Sequence, residues 1–286
     1  MLTICPTPIG NLDDVTPRQR EALRTADVVA CEDTRRTGKL YERLGMPRED
    51  GEPRLVSYRD ENELEAAERL GPALEAGLRV VLVSDAGTPG LSDPGYRLVR
   101  IAHEVGASIE SLPGPFAAAV ALVASGLPTD SFQFLGFLPS DDRRGRLRRA
   151  DERGLTAVVY ESPHRLVDLL DVIEDVCGAD RTVCVAREMT KMHEEYRRGS
   201  VTDVRAEFVA EEGEPKGECC VVVDAAADTG AGASEAEIDE KIRELLDRGL
   251  TPRSIREILP ELFDVSRSSV YDRIESVREG GEQAED

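Results

Sequence analysis

Short apolar runs alternate with helical segments through the first half of the chain, and this alternation constrains the fold more than any other feature. The runs LTICPTPI (2–9), VVAC (28–31), LVSY (55–58), RVVLV (79–83) and ASIESL (107–112) are typical of strands. Segments with helical periodicity separate them. Such an order favours an α/β protein with a largely parallel sheet and helices on both of its faces.

One of these helices has a complete start signal. Thr16 can cap it, Pro17 suits the first helical position, and Gln19 can complete a capping box. We therefore expect a helix from Pro17 to about Ala26. Four further helices are predicted at 34–45, 61–76, 96–106 and 116–126.

The composition changes around residues 137–149, where FLPSDDRRGRLRR opens a second, shorter α+β region. The elements expected there are a basic helix, strand 156–162, helix 164–176, strand 182–188, a turn, helix 202–211 and strand 217–225. We therefore predict an N-terminal α/β lobe (1–138), a second α/β lobe (139–227), a linker (228–234) and a helical extension (235–286). The sequence of the extension predicts a helix–turn–helix, with one helix starting at Thr251-Pro252 and a second capped by Ser266 or Ser268.

The net charge of −21 limits the classes of partner. So acidic a chain repels phosphates, and any contact with nucleic acid needs a local basic surface. With only four lysines the composition also fits adaptation to high salt, although an ordinary acidic protein is the alternative. No run is long enough to cross a bilayer and no signal peptide is evident, so a cytoplasmic protein is expected.

The cysteines and histidines predict no metal centre. The six cysteines show no zinc-like spacing, and Cys5, Cys31, Cys184 and Cys220 lie in apolar runs, where core packing is the ordinary role. His103 fits a helical pattern and is expected to be structural.

Three loops follow strands and are rich in glycine and proline: PTPIGN (6–11), SDAGTPGLSDPG (84–95) and LPGPFAA (112–118). In an open parallel sheet, ligands bind beyond the carboxyl ends of the strands. Neither GxGxxG nor GxxxxGK[ST] is present, which disfavours a polyphosphate ligand. These loops suit a ligand with hydroxyls, a carboxylate and an apolar base. In the second loop, Asp93 is expected to cap the following helix.

Seven segments together carry a family resemblance: PTPIGNLDD, CEDTRRTGKL, SDAGTPGLSDPG, LPGPFAAAVALVASGLP, YESPHR, REMTK and KGE. Over residues 2–225 the chain resembles the tetrapyrrole methylase superfamily and, more narrowly, its small-subunit ribosomal RNA methyltransferases. The helical tail resembles the extension of that group. The resemblance implies a two-lobed class III methyltransferase fold, a homodimer, S-adenosylmethionine between the lobes, and 2′-O-methylation of a cytidine in the decoding region.

The resemblance also implies a set of cofactor-binding residues. They are Ile9, Gly10, Asp85, Ala86, Gly87, Thr88, Pro89, Pro115, Phe116, Ala117, Glu161, Ser162, Met189, Thr190 and Glu218. Residues 85–89 replace the more usual Gly-Asp-Pro loop of the superfamily, and the assignment rests most on Asp85. A turn-capping carboxylate is the alternative for Asp85, and core packing is the alternative for Met189.

Methyl transfer to a hydroxyl needs alignment, exclusion of water and a proton acceptor. The candidate general bases, unranked, are Glu32, Asp33, Glu161 and Glu188. Contact with RNA needs cations, for which the candidates are Arg35, Arg36, Lys39, Arg143, Arg144, Arg165, Arg187 and Lys191. For the arginine cluster at 143–149, a solvated helix face paired with nearby aspartates is the alternative.

Two other functions stay open at this point. A methyltransferase of the same fold could act on a corrinoid precursor or a protein side chain. Alternatively, the chain could be a non-catalytic ribosome-assembly or RNA-binding protein that kept the fold. The low aromatic content of 4% disfavours a stacking platform for single-stranded RNA, so recognition of folded RNA by shape and phosphates is expected.

Overall fold

The computed structural model describes residues 1–48, 50–211, 217–225, 235–263, 270, 273, 274 and 277. The chain divides into two compact units, Met1–Ala225 and Ala226–Asp286. Two five-stranded sheets lie in the larger unit.

The first sheet is entirely parallel, as the alternation predicts. Its strands, in spatial order, are β3 (Arg54–Ser57), β2 (Val28–Cys31), β4 (Val80–Val83), β1 (Leu2–Ile4) and β5 (Ile109–Ser111). The connecting helices are α1 (Pro17–Thr25), α2 (Thr34–Arg43), α3 (Glu63–Glu75) and α4 (Tyr96–Glu104). Strands β2 and β4 are buried at every position, because helices cover both faces of the sheet.

The start of α1 follows the sequence signal. The backbone N–H of Gln19 donates to Thr16 Oγ1 at 3.2 Å, and the Thr16 N–H donates to Gln19 Oε1 at 2.7 Å. Both bonds of the capping box are present, with Pro17 at the first helical position. The predicted helix is confirmed.

The second sheet is mixed. Its strands, in spatial order, are β6 (Phe132–Phe137), β7 (Thr156–Glu161), β10 (Cys219–Val223), β8 (Thr182–Arg187) and β9 (Glu195–Ser200). Its helices are α5 (Ala117–Ser125), α6 (Arg143–Asp151), α7 (Leu166–Cys177) and α8 (Val201–Ala210). Strand β6 precedes residue 138 yet belongs to this sheet; the lobe boundaries themselves stay a proposal.

The two edge strands of the second sheet, β6 and β9, were not predicted from the sequence. Strand β9 reads EYRRGS and was expected to be a turn, because it has no apolar alternation. Among the residues that the structure describes it pairs only with β8, and most of its side chains are half-buried. Such a polar edge strand is specified by its neighbour rather than by its own pattern.

The expectation that Asp93 caps α4 is wrong. The capping position is Gly95, and no side chain of the 84–95 loop caps the helix. Instead Glu63 Oε1, from α3, accepts from the N–H groups of Gly95 and Arg97 at 2.9 and 3.2 Å. The Tyr58 hydroxyl accepts from the Leu98 N–H at 3.0 Å. This leaves Asp93 available for another role.

The four cysteines predicted to pack in the core are all buried: Cys5, Cys31, Cys184 and Cys220. Burial raises the pKa of the Cys5 thiol to about 12 and that of Cys31 to about 11. These thiols are therefore protonated core residues at neutral pH.

The smaller unit contains α9 (Glu235–Asp247) and α10 (Pro252–Phe263). Their apolar side chains pack together with Val270 and Ile274. Helix α10 starts where predicted, and Thr251 Oγ1 accepts from the Ser254 N–H. The expected linker 228–234 and the expected cap at Ser266 or Ser268 lie outside the described residues. Within the described part of the chain, no helix is long and apolar enough to span a membrane.

Candidate functional site

A cavity of about 290 Å³ lies where the two sheets of the larger unit meet. On one side are the loops that follow β1, β2 and β4 at the carboxyl edge of the parallel sheet. On the other are the ends of β7 and β8 and the start of β10, which runs antiparallel to both. A second cavity, of about 370 Å³, adjoins it and shares Ile9, Arg36, Asp85, Ala86, Lys191 and Glu218 with it.

Backbone contacts tie together the three glycine- and proline-rich loops. Thr7 and Gly87 exchange two N–H···O bonds of 2.9 and 3.0 Å, linking the first loop to the second. The Thr88 hydroxyl donates to the Pro115 carbonyl at 2.7 Å, linking the second loop to the third. The wall that the parallel sheet contributes to the cavity is therefore preorganised.

Most of the predicted site residues meet at the main cavity. Those lining it are Ile9, Glu32, Arg36, Asp85, Ala86, Gly87, Thr88, Phe116, Ala117, Glu161, Glu188, Met189, Lys191 and Glu218. The adjoining cavity adds Gly10 and Lys39, and Asp33 lines a third one beside Glu32. Pro89, Pro115, Ser162, Thr190 and Arg187 do not line these cavities.

Seven cavity residues were missed by the sequence analysis: Leu91, Ser92, Asp93, Phe137, Tyr160, Cys219 and Cys220. Leu91, Ser92 and Asp93 lie in the half of the 84–95 loop that was interpreted as architecture. Phe137 and Tyr160 are paired across β6 and β7. Their position depends on the second sheet facing the first, which no local pattern reports.

Glu32, directly after β2, has the chemistry of a proton acceptor. Its side chain is half-buried, and among the described residues Oε1 has no hydrogen-bond partner. Burial, together with the negative charges of Asp93 and Asp85, raises the pKa of this carboxyl to about 7. A carboxyl with this pKa exchanges protons at neutral pH.

Asp93 adds to the negative character of the same cavity. Burial is the main cause that raises its pKa to about 6, and the charges of Asp60 and Asp85 contribute. Two carboxyls with raised pKa values in one cavity are typical of a functional site rather than of a helix cap.

Asp33 and Asp85 organise the start of α2. Asp33 Oδ1 accepts from the N–H groups of Arg35 and Arg36 at 2.7 and 3.3 Å, and these bonds lower the pKa of Asp33. Asp85 Oδ1 accepts from the Asp33 N–H, and Oδ2 faces Arg36 Nη1 at 3.1 Å. Asp85 thus joins two loops while lining both cavities.

Glu161 lies at the end of β7 and is almost fully buried, with 1% of its side chain exposed. Its Oε2 accepts from Arg143 at 2.9 Å and from Arg165 at 3.0 Å, and Oε1 accepts from the Ser162 N–H. Arg143 and Arg165, both predicted to contact RNA, are therefore held by Glu161, one of the predicted general bases.

The turn after β8 contacts the loop after β1. A Cβ at Gly10 would lie 2.5 Å from Thr190 Oγ1 and 2.7 Å from Lys191 Cγ, so only glycine fits there. In the turn, Glu188 and Thr190 have positive φ values of 52° and 66°. Lys191 donates to Glu188 Oε1 at 2.8 Å. The close approach of Gly10 to Thr190 and Lys191 joins the two sheets at the cavity.

The other predicted cations are placed differently. Arg36 and Lys39 are exposed along α2 at the rim of the adjoining cavity, and Arg35 is exposed on the same helix without lining either cavity. Arg144 is exposed and pairs with Asp175. Arg187 is largely buried in a network with Glu195 and Glu211, with its guanidinium over the Phe208 ring.

The charge of the cavity defines the ligand that it can hold. Its acidic lining residues are Glu32, Asp85, Asp93, Glu161, Glu188 and Glu218, against the cations Arg36 and Lys191. Its apolar walls include Ile9, Phe116, Ala117 and Met189. Within the described residues, no group of three or more His, Cys, Asp or Glu side chains is arranged to hold a metal ion. This lining suits a ligand with an apolar ring system and positive charge.

The fold is that of an α/β protein with a cavity at the carboxyl edge of a parallel sheet, the place where open α/β sheets bind their ligands, facing a second sheet. The solved structures with similar folds include the methyltransferase CobJ (TM-score 0.58, 24% identity, 79% of this chain and 94% of that one). Diphthine synthase is another (TM-score 0.57, 16% identity, 78% and 89%).

The family model for tetrapyrrole (corrin/porphyrin) methylases matches residues 1–205. The chain is similar to ribosomal RNA small subunit methyltransferase I of Synechocystis sp., with 39% identity over 274 residues, 95% of this chain and 96% of the relative. It is 40% identical to the protein of the same name from Escherichia coli O157:H7, over 94% of this chain and 93% of the relative. The chain therefore belongs to the tetrapyrrole methylase family, which confirms the resemblance found in the sequence.

Proposed function

We propose that this protein transfers a methyl group from S-adenosylmethionine to the ribose 2′-hydroxyl of a cytidine in the decoding region of small-subunit ribosomal RNA. One observation carries the proposal: an acidic cavity with apolar walls, lined from both lobes, in a chain similar over nearly its whole length to methyltransferases named for that RNA.

The residues at the cavity fit S-adenosylmethionine. Its sulfonium and ammonium groups are cationic and match the excess of carboxylates, while the apolar walls suit the nucleoside. Two adjoining cavities that share six residues match a ligand with a nucleoside half and an amino-acid half. Asp85 lines both cavities and is the proposed anchor. Most of the other predicted cofactor residues line the cavities, and Pro115 and Thr190 contact the loops that form them.

The bound cofactor supplies an electrophilic methyl group, and the chain has to align the attacking hydroxyl, exclude water and accept its proton. Of the four candidate bases, Glu32 fits the last task best. Asp33 is held as a helix cap with a lowered pKa, and Glu161 is saturated by two arginines. Glu188 is paired with Lys191. Glu32 alone combines a free oxygen with a pKa near 7.

Contact with RNA phosphates is proposed for Arg36 and Lys39, because they are exposed at the cavity rim, and for Arg35, which is exposed beside them on α2. Arg144 is a further exposed candidate. For Arg143 and Arg165 we propose a supporting role through Glu161, and for Arg187 one through Glu195 and Glu211. A homodimer remains part of the proposal on the strength of the family resemblance.

The proposal is tested by methyl transfer with purified protein, labelled S-adenosylmethionine and small subunits whose RNA lacks the modification. Digestion to nucleosides is expected to give label in 2′-O-methylcytidine. Cofactor binding by calorimetry adds a residue test. Because Asp85 offers a carboxylate to the cofactor, Asp85→Ala is expected to weaken binding at least about tenfold.

Asp60→Ala is the matched control, since Asp60 lines the third cavity but neither of the two proposed to hold the cofactor. Its affinity should stay close to that of the wild type. Absence of binding by the wild type would favour the non-catalytic RNA-binding protein instead. Near-normal cofactor binding by Asp85→Ala would refute the anchoring role of Asp85 and leave the proposed function standing.

A further inference from the structure

Two large apolar side chains at the mouth of the main cavity are exposed. Phe137, at the end of β6, is 58% exposed, and Leu91, in the loop after β4, is 43% exposed. Both line the cavity, Leu91 from the side of the first sheet and Phe137 from the second sheet. The other aromatic side chains of the cavity, Phe116 and Tyr160, are partly buried against the core. Phe137 and Leu91 therefore offer uncovered apolar surface at a site that binds a small molecule.

A β-bulge directs Phe137 toward this site. Phe134 pairs with Val158 and Phe137 pairs with Tyr160, so three residues of β6 advance against two of β7. In a regular strand, residues three apart point to opposite faces. Because of the bulge, Phe134 and Phe137 share one face, the face that carries Tyr160 and lines the cavity. Bulges that re-aim a side chain are frequent beside functional sites.

The bulge also brings the second sheet into contact with the loop after β4 of the first sheet. A Cβ at Gly136 would lie 2.8 Å from Ser92 Oγ. Both residues have positive φ, 59° for Gly136 and 63° for Ser92. Leu91 and Phe137, the chain neighbours of these two residues, both line the cavity, so the contact anchors the segments that bring the two exposed side chains to it.

The Phe137 ring is held from behind. The centroids of the Phe137 and Tyr160 rings lie 5.5 Å apart. The Tyr160 ring lies 4.9 Å from the Phe134 ring, and the Phe134 ring lies 5.0 Å from the Phe116 ring. The Tyr160 hydroxyl accepts from the Ala118 N–H at 3.0 Å, which fixes that ring to the start of α5. The ring of Phe137 is therefore supported by a chain of aromatic contacts while most of its own surface is open.

We propose that Phe137 and Leu91 form a clamp that holds the nucleobase of the target nucleotide. The clamp rests on the proposed function, because a ribose inside duplex or folded RNA reaches a recessed cavity only when its nucleotide is turned out of the stack. A base turned out in this way is held between aromatic and apolar side chains. Such stacking is tolerant of base identity, so the clamp would position the base rather than select it.

The adenine of the cofactor is the other flat ring that could occupy this surface. The enclosed walls at Ile9, Phe116 and Met189 suit the cofactor better, because pockets for small molecules bury most of the ligand. A rim with this much exposure suits a group that arrives with a larger molecule and leaves with it.

The test compares Phe137→Ala, Phe137→Tyr and Phe132→Ala in methyl transfer to small subunits, with cofactor affinity measured by calorimetry. Phe132 is on the same strand and 42% exposed, but it does not line the cavity. Phe137→Ala is expected to raise KM for the RNA substrate about tenfold, with little change in kcat or in cofactor affinity. Phe137→Tyr keeps the ring and should lose much less, and Phe132→Ala should match the wild type.

An unchanged KM in Phe137→Ala, alongside an active wild type, would overturn the clamp and leave the proposed function standing. So would a loss of cofactor affinity in that variant, which would assign the ring to the adenine. If Phe137→Ala has a different molar mass from the wild type in light scattering, the exposed surface contacts a second copy of the chain. That result would also overturn the clamp. If the wild type transfers no methyl group to RNA, the proposed function and the clamp fail together.

Discussion

Glu32 combines two properties that rarely coincide in a carboxyl group: an oxygen without a hydrogen-bond partner among the described residues, and a pKa close to neutrality. Its burial comes from its position directly after β2, an interior strand of the parallel sheet. The raised pKa is caused first by this burial and then by the carboxylates of Asp93 and Asp85. These properties come mainly from two loops together, the one after β2 and the one after β4, and are absent from the local sequence CEDT.

Glu32→Gln should reduce kcat by about 100-fold, because the side chain keeps its shape but cannot accept a proton. In the wild type, kcat/KM should rise as the pH passes through about 7 and then level off. The residual activity of the variant should lack this rise. The measurement is the pH–rate profile of both proteins; an unchanged rise in Glu32→Gln would contradict the role of Glu32.

The same substitution should change stability in a pH-dependent way. The folded-state pKa of about 7 exceeds the ordinary value of 4.5, so the contribution of Glu32 to stability is lost as the pH rises between these values. Glu32→Gln should therefore raise Tm relative to the wild type at pH 8 and change it little at pH 5. Equal differences at both pH values would show that the carboxyl is not perturbed.

At the scale of elements, the start of α4 depends on a partner from another helix. Glu63 accepts from two backbone N–H groups of α4 and from the Tyr58 hydroxyl, with 16% of its side chain exposed. The loop before α4 lines the cavity and supplies no cap of its own. Because Glu63 of α3 caps α4, the loop before α4 does not need to supply a cap and its side chains can line the cavity.

Glu63→Ala should lower the free energy of unfolding by about 1–3 kcal/mol, since it leaves N–H groups at the helix start without a partner. Glu65→Ala, at an exposed position of the same helix, is the control and should change it by less than about 0.5 kcal/mol. Urea denaturation measures both. Equal effects of the two substitutions would remove the special role of Glu63.

The sequence predicts those elements whose signals are local. The capping box at Thr16 and Gln19 and the buried run VVLV each specify their own element, and both are present. Strand β9 could not be predicted, because a polar edge strand takes its conformation from β8. Strand β6 has aromatic residues, but its bulge interrupts the alternation from which a strand is identified.

The candidate site was predictable only in part for the same reason. Loops that follow parallel strands converge by topology, so Ile9, Asp85 and Phe116 could be placed at one cavity from sequence. Residues contributed by the facing sheet, such as Tyr160 and Phe137, depend on how the two sheets pack. Asp93 was assigned to a helix cap because its sequence context fits one; Glu63 takes that role instead.

The whole molecule carries a net charge of −21 and has a proposed polyanionic substrate. Long-range attraction therefore cannot drive binding, and RNA has to be held by local cations and by shape. Arg35, Arg36 and Lys39 form such a local group on α2 beside the cavity. In the proposed function, the acidic interior would hold the cationic cofactor and the basic rim the anionic substrate.

The most direct test of the account is to delete the gene in the source organism and to map 2′-O-methyl groups on small-subunit ribosomal RNA. The account predicts that one cytidine in the decoding region loses its methyl group. The wild-type gene should restore it, and the Glu32→Gln variant should restore it poorly. Survival of every 2′-O-methyl group in the deletion strain would contradict the central claim.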